Sequence, residues 1–116
     1  MRLQDKKVAI LVHNDFEDLE LWYPAIRLRE EGAEITLVGP HKGEEHKGKR
    51  GLTATADAGV YDVHPVDFDL VVIPGGYSPD HMRRVPEMVD FVRSSNEQGK
   101  MIAAICHAPW MLASAG

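Results

Sequence analysis

The 116 residues carry 13 Lys and Arg against 18 Asp and Glu, a net charge of −5, with 44% hydrophobic and 27% charged residues. That balance is globular rather than disordered, and the acidic surplus argues against nucleic acid as the default partner and against a polybasic membrane anchor. The longest apolar runs, Val8–Val12 and Met101–Cys106, are too short to span a bilayer, and Met1–Lys7 lacks the apolar core of a signal peptide. Cys106 is the only cysteine, so no intrachain disulfide is expected, and a lone thiol fits a reducing, cytoplasmic setting.

Lys7–Val12 is a continuous apolar run and reads as a strand buried on both faces. His13–Phe16 is then a loop, and Glu17–Glu31 turns helical. Leu19, Trp22 and Ile26 share one stripe of that helix; Leu21, Ala25 and Leu28 lie beside it. Asn14 or Asp15 is placed to cap it, Glu17 and Asp18 suit its first turn, and Gly32 stops it. Pro24 must kink the helix or mark a late start. Glu34–Val38 is a second strand. Gly39–Gly51 is glycine-rich, charged and without periodicity, so it reads as a loop.

Leu52–Ala56 alternates weakly, as a short edge strand does, and Val60–Asp69 is irregular. Leu70–Ile73 is a third buried strand, stopped by Pro74-Gly75-Gly76. Ser78–Asp80 opens a helix, Pro86–Arg93 is a second helical stretch, and Gly99 ends it. Met101–Ile105 is a fourth buried strand, followed by Cys106-His107-Ala108-Pro109 and a new helix. Strands alternating with helices predict an α/β fold with a mostly parallel sheet covered on both faces. Such sheets bind ligands at the carboxyl ends of their strands. Asn14–Glu17, Gly75-Gly76 and Cys106-His107 all fall there.

Ala104-Ile105-Cys106-His107-Ala108 has the form of a strand-to-helix elbow. Small residues stand two before and two after a nucleophile, as a strained turn requires. A helix start beside Cys106 favours its thiolate and offers N–H groups to an oxyanion. A buried core cysteine is the plainer reading of a free thiol; the frame and the adjoining His107 favour the reactive one. His107 is a general-base candidate or a surface histidine. Glu17 follows the first strand on the same sheet edge, as an acid–base group or an ordinary first-turn acid. Gly75-Gly76 supplies a close backbone N–H or only a tight turn. Asp80 orients His107 or caps a helix. Pro-Gly-Gly matches no phosphate-binding fingerprint. His41 and His46, beside Glu44 and Glu45, fix no ligand geometry, so neither cofactor nor metal is expected. Trp22 and Met88 read as core or interface residues.

These residues resemble the PfpI family of intracellular cysteine proteases and amidases in the ThiJ/PfpI superfamily. The resemblance rests on Asn14-Asp15-Phe16-Glu17-Asp18, Glu20-Leu21, Tyr23-Pro24, Arg27–Gly32, Val72–Gly76 and Ala104–Pro109, in family order. It implies a class I glutamine-amidotransferase-like, flavodoxin-like three-layer sandwich. It implies Cys106 as nucleophile, Glu17 as the carboxyl group beside it, and His107 as its catalytic partner. The Gly76 and His107 N–H groups would form the oxyanion hole. Asp80, where the archetype has Glu, would reach the histidine of a neighbouring subunit. The implied activities are peptidase or amidase, cofactor-independent glyoxalase, deglycase and stress protection, on small carbonyl, glycated or peptide substrates, in a homo-oligomer. A redox-sensing stress protein with little turnover is the alternative. Family members continue past the helix after the nucleophile, so residues 1–116 are expected to be one domain cut short at its C-terminus, with exposed apolar surface there.

Overall fold

The computed structural model describes residues 2–116. Five strands make one parallel sheet: β1 (Lys7–Leu11), β2 (Glu34–Gly39), β5 (Ala58–Gly59), β6 (Leu70–Ile73) and β7 (Met101–Ala104). Their order is β5-β2-β1-β6-β7. The helices are α1 (Asp18–Glu30), α2 (Ser78–Met82), α3 (Pro86–Glu97) and α4 (Pro109–Ala115), with a 3-10 turn at Pro65–Asp67. Residues 39–51, expected as loop, instead contain β3 (Glu45–Lys47), which pairs antiparallel with β4 (Thr53–Thr55) as a separate hairpin.

The apolar runs build the two faces of the sheet by simple alternation. Along β1, Ala9 and Leu11 join Val71, Ile73, Met82, Met88, Phe91 and Met111 on the side of α2, α3 and α4. Val8 and Ile10 join Phe16, Leu21, Ala25 and Leu37 on the side of α1. A sheet buried on both faces between helices is the three-layer α/β sandwich. No helix among the described residues is long and apolar enough to cross a membrane.

α1 settles which of its two stripes packs. Leu21 and Ala25 are fully buried and Leu28 packs beside them, whereas Leu19, Tyr23 and Ile26 are exposed. Pro24 lies inside a continuous helix; lacking an N–H, it leaves the Glu20 carbonyl without its helical donor. The expected side-chain caps are not used. Glu17 is the N-cap residue and makes no capping bond. Asp18 is only 2% exposed and turns its carboxylate to the hairpin loop, accepting the Arg50 N–H at 3.0 Å and the Leu52 N–H at 2.9 Å. This buried clamp ties α1 to the hairpin and sets the rotation of the helix about its axis. Met88 is core, and Trp22 is half-buried against the α1 face of the sheet.

Candidate active site

Four loops meet above the carboxyl ends of the parallel strands. Cys106 follows β7, holds φ +58° and is exposed. A side chain there normally costs about 1 kcal/mol or more, so the surroundings must enforce it. Ile105 N–H donates to the Ile73 carbonyl at 3.2 Å, and Ala108 N–H closes back on the Ile105 carbonyl at 2.9 Å. Ala108 is completely buried, which explains the need for a small residue at that place.

Gly75 lies against the elbow. A Cβ built on it would stand 2.6 Å from Cys106 Cβ and 2.8 Å from the Ile105 carbonyl oxygen, and would strike Glu20 Oε1. Its N–H donates to that same Glu20 oxygen at 2.8 Å. The Glu20 carboxylate and the Cys106 side chain therefore converge on the space of one methyl group beside Gly75. Here the structure departs from the expected arrangement. Glu17 points to the hairpin loop, with Oε2 3.4 Å from Lys49 Nζ and Oε1 3.2 Å from Arg50 Nε. The carboxylate that meets the elbow belongs to Glu20, one helical turn later. The signal was present: Glu20 sits next to the buried Leu21, on the side of α1 that approaches the sheet.

Gly76 has φ +82° and forms an isolated antiparallel bridge with Phe16. That bridge uses Glu17 N–H to the Gly75 carbonyl (3.1 Å) and Tyr77 N–H to the Asp15 carbonyl (2.9 Å), so the Gly76 N–H takes no part in it. A Cβ on Gly76 would lie 2.5 Å from the Asp15 carbonyl oxygen and 2.6 Å from Glu17 N, both backbone atoms. Gly76→Ala is accordingly expected to lower stability by about 2 kcal/mol or more, measured by urea unfolding. A change below about 0.5 kcal/mol would mean the loops have room that this geometry denies.

The other two expected members stand apart within one chain. His107 is exposed, and its ring packs edge-on against Trp110, centroids 4.9 Å apart. Asp80 lies in α2 and pairs with its helical neighbours Arg83 at 3.7 Å and Arg84 at 3.3 Å. Among the hydrogen bonds and ion pairs of the described residues, none joins Asp80 to His107 or His107 to Cys106. Of the histidines in the charged tract, His41 stacks on Tyr61 at 6.4 Å, while His46 is 1% exposed inside the hairpin.

Comparison with known proteins extends this geometry. The family model described as DJ-1/PfpI family matches residues 6–116. The chain is 40% identical over 111 residues to Protein/nucleic acid deglycase 2 of Escherichia coli, covering 95% of this chain and 64% of that protein. It is 40% identical over 111 residues to General stress protein 18 of Bacillus subtilis, with the same two coverages. It thus spans about two-thirds of the length of these relatives. Among solved structures, a two-domain protein of Anabaena variabilis with DJ-1/ThiJ/PfpI-like and ferritin-like domains superposes at TM-score 0.93. That match has 45% identity and covers 96% of this chain and 32% of the other. An exposed cysteine in a left-handed elbow, flanked by a glycine turn and a helix carboxylate, sits on the fold these matches share: the chain belongs to the DJ-1/PfpI family.

Proposed function

We infer that this protein is a cysteine-dependent hydrolase or lyase acting on small carbonyl compounds and glycated amines, a PfpI-type deglycase. The observation that carries the reading is the convergence of Cys106 Cβ and Glu20 Oε1 on Gly75. Exposure opens the thiol to a small substrate. Its sulfur adds to the carbonyl carbon, forming a C–S bond and placing negative charge on the carbonyl oxygen. Glu20 takes the thiol proton and gives it to that oxygen, or to the nitrogen of an amine on the same carbon as its C–N bond breaks; water then cleaves the carbon–sulfur bond and restores the Cys106 thiol. The Gly75 N–H is taken by Glu20, so the Gly76 N–H, which the Phe16 bridge does not use, and the His107 N–H that follows the nucleophile hold the oxyanion. Glu17 tethers the hairpin loop through Lys49 and Arg50. The relative named as a deglycase supports the substrate class.

Asp80 reaches a histidine only if a second copy supplies it, so the peptidase variant of this chemistry requires a homo-oligomer. The exposed Leu19, Tyr23 and Ile26 on α1 offer it an apolar face. One preparation tests both levels. Methylglyoxal turnover and release of amines from glycated amino acids are expected to disappear when Cys106 is alkylated, with occupancy followed by peptide mass. Undiminished turnover by the alkylated protein would overturn the thiol mechanism. Light scattering that finds only monomers would remove the peptidase variant and leave carbonyl chemistry standing.

A further inference from the structure

Three histidines that take no part in this chemistry meet beneath the Asn14–Glu17 loop. The ring of His13 lies 5.2 Å from that of His46 on β3 and 5.2 Å from that of His81 on α2, counted between centroids. Residues 33 and 68 positions away from His13 in the chain thus pack on it, His81 stacked and His46 tilted. Their donors do not converge: no group of three His, Cys, Asp or Glu side chains among the described residues is placed to hold a metal ion. Their arrangement is one of matched protons instead.

Asn14 is clasped from two sides. Its N–H donates to His13 Nδ1 at 2.8 Å, so that nitrogen must be bare. Its Oδ1 lies 3.1 Å from His46 Nδ1, and an amide oxygen only accepts, so that nitrogen must carry the proton. His46 Nε2 is buried without a hydrogen bond; Glu44 Oε1 stands 3.1 Å away but off the bonding direction. A proton gained by His46 would go to Nε2, toward Glu44, and leave the Asn14 contact intact. A proton gained by His13 would go to Nδ1 and set donor against donor. On the far side, His81 Nε2 donates to Asp15 Oδ2 at 3.0 Å. Asp15 holds φ +63°, and its carbonyl receives Tyr77 N–H just past Gly76.

We propose that His13, packed between His46 of β3 and His81 of α2, is an acid-released latch that keeps the Asn14–Glu17 loop seated between the hairpin and α2. The charged and titratable groups facing it are His46 from β3, Glu44 from the hairpin loop, His81 from α2, and Asp15 from its own loop. Burial, then repulsion from His46 and His81, pushes the His13 pKa down to about 4, against small opposing pulls from Glu44 and Asp15. In the opened loop the ring returns to its ordinary value of 6.5. The open state then binds the proton more tightly, so the latch is fully effective above pH 6.5 and weakens as pH falls toward 4. By linkage the opening constant rises by up to roughly 30-fold between pH 7.5 and pH 5.

Amide hydrogen exchange on the full chain, corrected for the intrinsic pH dependence, reads this directly. The amides of Asn14, Glu17 and Tyr77 are expected to show the rise, while Ile10 and Val72 in the central sheet stay flat. In His13→Asn the new Oδ1 occupies the place of Nδ1 and accepts the same N–H without titrating, so the acid-driven rise should be clearly smaller than in wild type, the remainder coming from His46, whose pKa burial also lowers. His81→Gln keeps a donor for Asp15 and removes one repelling charge, so the rise should be smaller than in wild type. A wild-type loop whose opening does not respond to pH, or a His13→Asn loop that opens as wild type does, overturns the latch. A larger rise in His81→Gln does the same. The readout is independent of turnover, so it stands or falls apart from the proposed chemistry.

Discussion

Cys106→Ala is expected to lower turnover of carbonyl substrates by roughly 10⁴-fold or more, the scale of loss when the nucleophile of a unit that acts together is removed. The fold should survive. Cys106 is exposed, so shortening it opens no cavity in either core cluster, and alanine inherits the same left-handed backbone. Cys106→Gly goes a step further. At φ +58° glycine relieves strain of about 1 kcal/mol, offset in part by the extra freedom of glycine in the unfolded chain. The inactive glycine variant should therefore melt at or above the wild-type temperature. That outcome is the expected mark of a functional residue held in a poor conformation by its surroundings. A glycine variant that is both inactive and clearly destabilised would show that the side chain supports the fold, and that loss of activity says nothing about attack by sulfur.

What could be read from the chain divides along the range of the interactions. β1 and β6 are visible as uninterrupted apolar runs because a parallel strand inside the sheet is buried on both faces; β7, an equally apolar run expected to be buried, is instead the edge of the sheet, with Met101 70% exposed. The elbow is visible because sterics demand small residues at fixed places around Cys106, and Ala108 meets that demand. β3 is hidden, having three residues and one inward side chain, His46, too little to show a period, whereas its partner β4 shows as the weak alternation of Leu52–Ala56. α1 presents two stripes of similar apolar weight. The choice between them depends on Asp18 reaching the Arg50 and Leu52 amides more than thirty positions away. The same rotation decides which acid reaches Gly75 beside the elbow. The family resemblance implies Glu17, nearest the strand end; the Asp18 clamp and the pull of Lys49 and Arg50 turn Glu17 to the hairpin and bring Glu20 to Gly75. The His13 cluster is likewise invisible in a linear reading, since nothing near any one of the three histidines announces the other two.

Exchanging the two carboxylates in turn separates these alternatives. Glu20→Gln preserves the size of the side chain and an oxygen that can accept the Gly75 N–H, but it can no longer take a proton. If Glu20 moves the thiol proton, kcat/KM should fall by about 10²- to 10⁴-fold with the melting temperature nearly unchanged. Glu17→Gln loses only partly exposed ion pairs to Lys49 and Arg50. Pairs of that kind contribute about 0–1 kcal/mol, so its effect on kcat/KM should stay within roughly 5-fold. A Glu20→Ala variant adds a second reading. It also removes the acceptor of the Gly75 N–H and leaves that donor, on a buried residue, without a partner, so stability should fall by about 1–3 kcal/mol while the loss of activity is no smaller than in Glu20→Gln. The ordering is the decisive part. If Glu17→Gln proves the more damaging exchange and Glu20→Gln is nearly silent, Glu20 is only a clamp for the glycine turn, and the proton must leave Cys106 by another route.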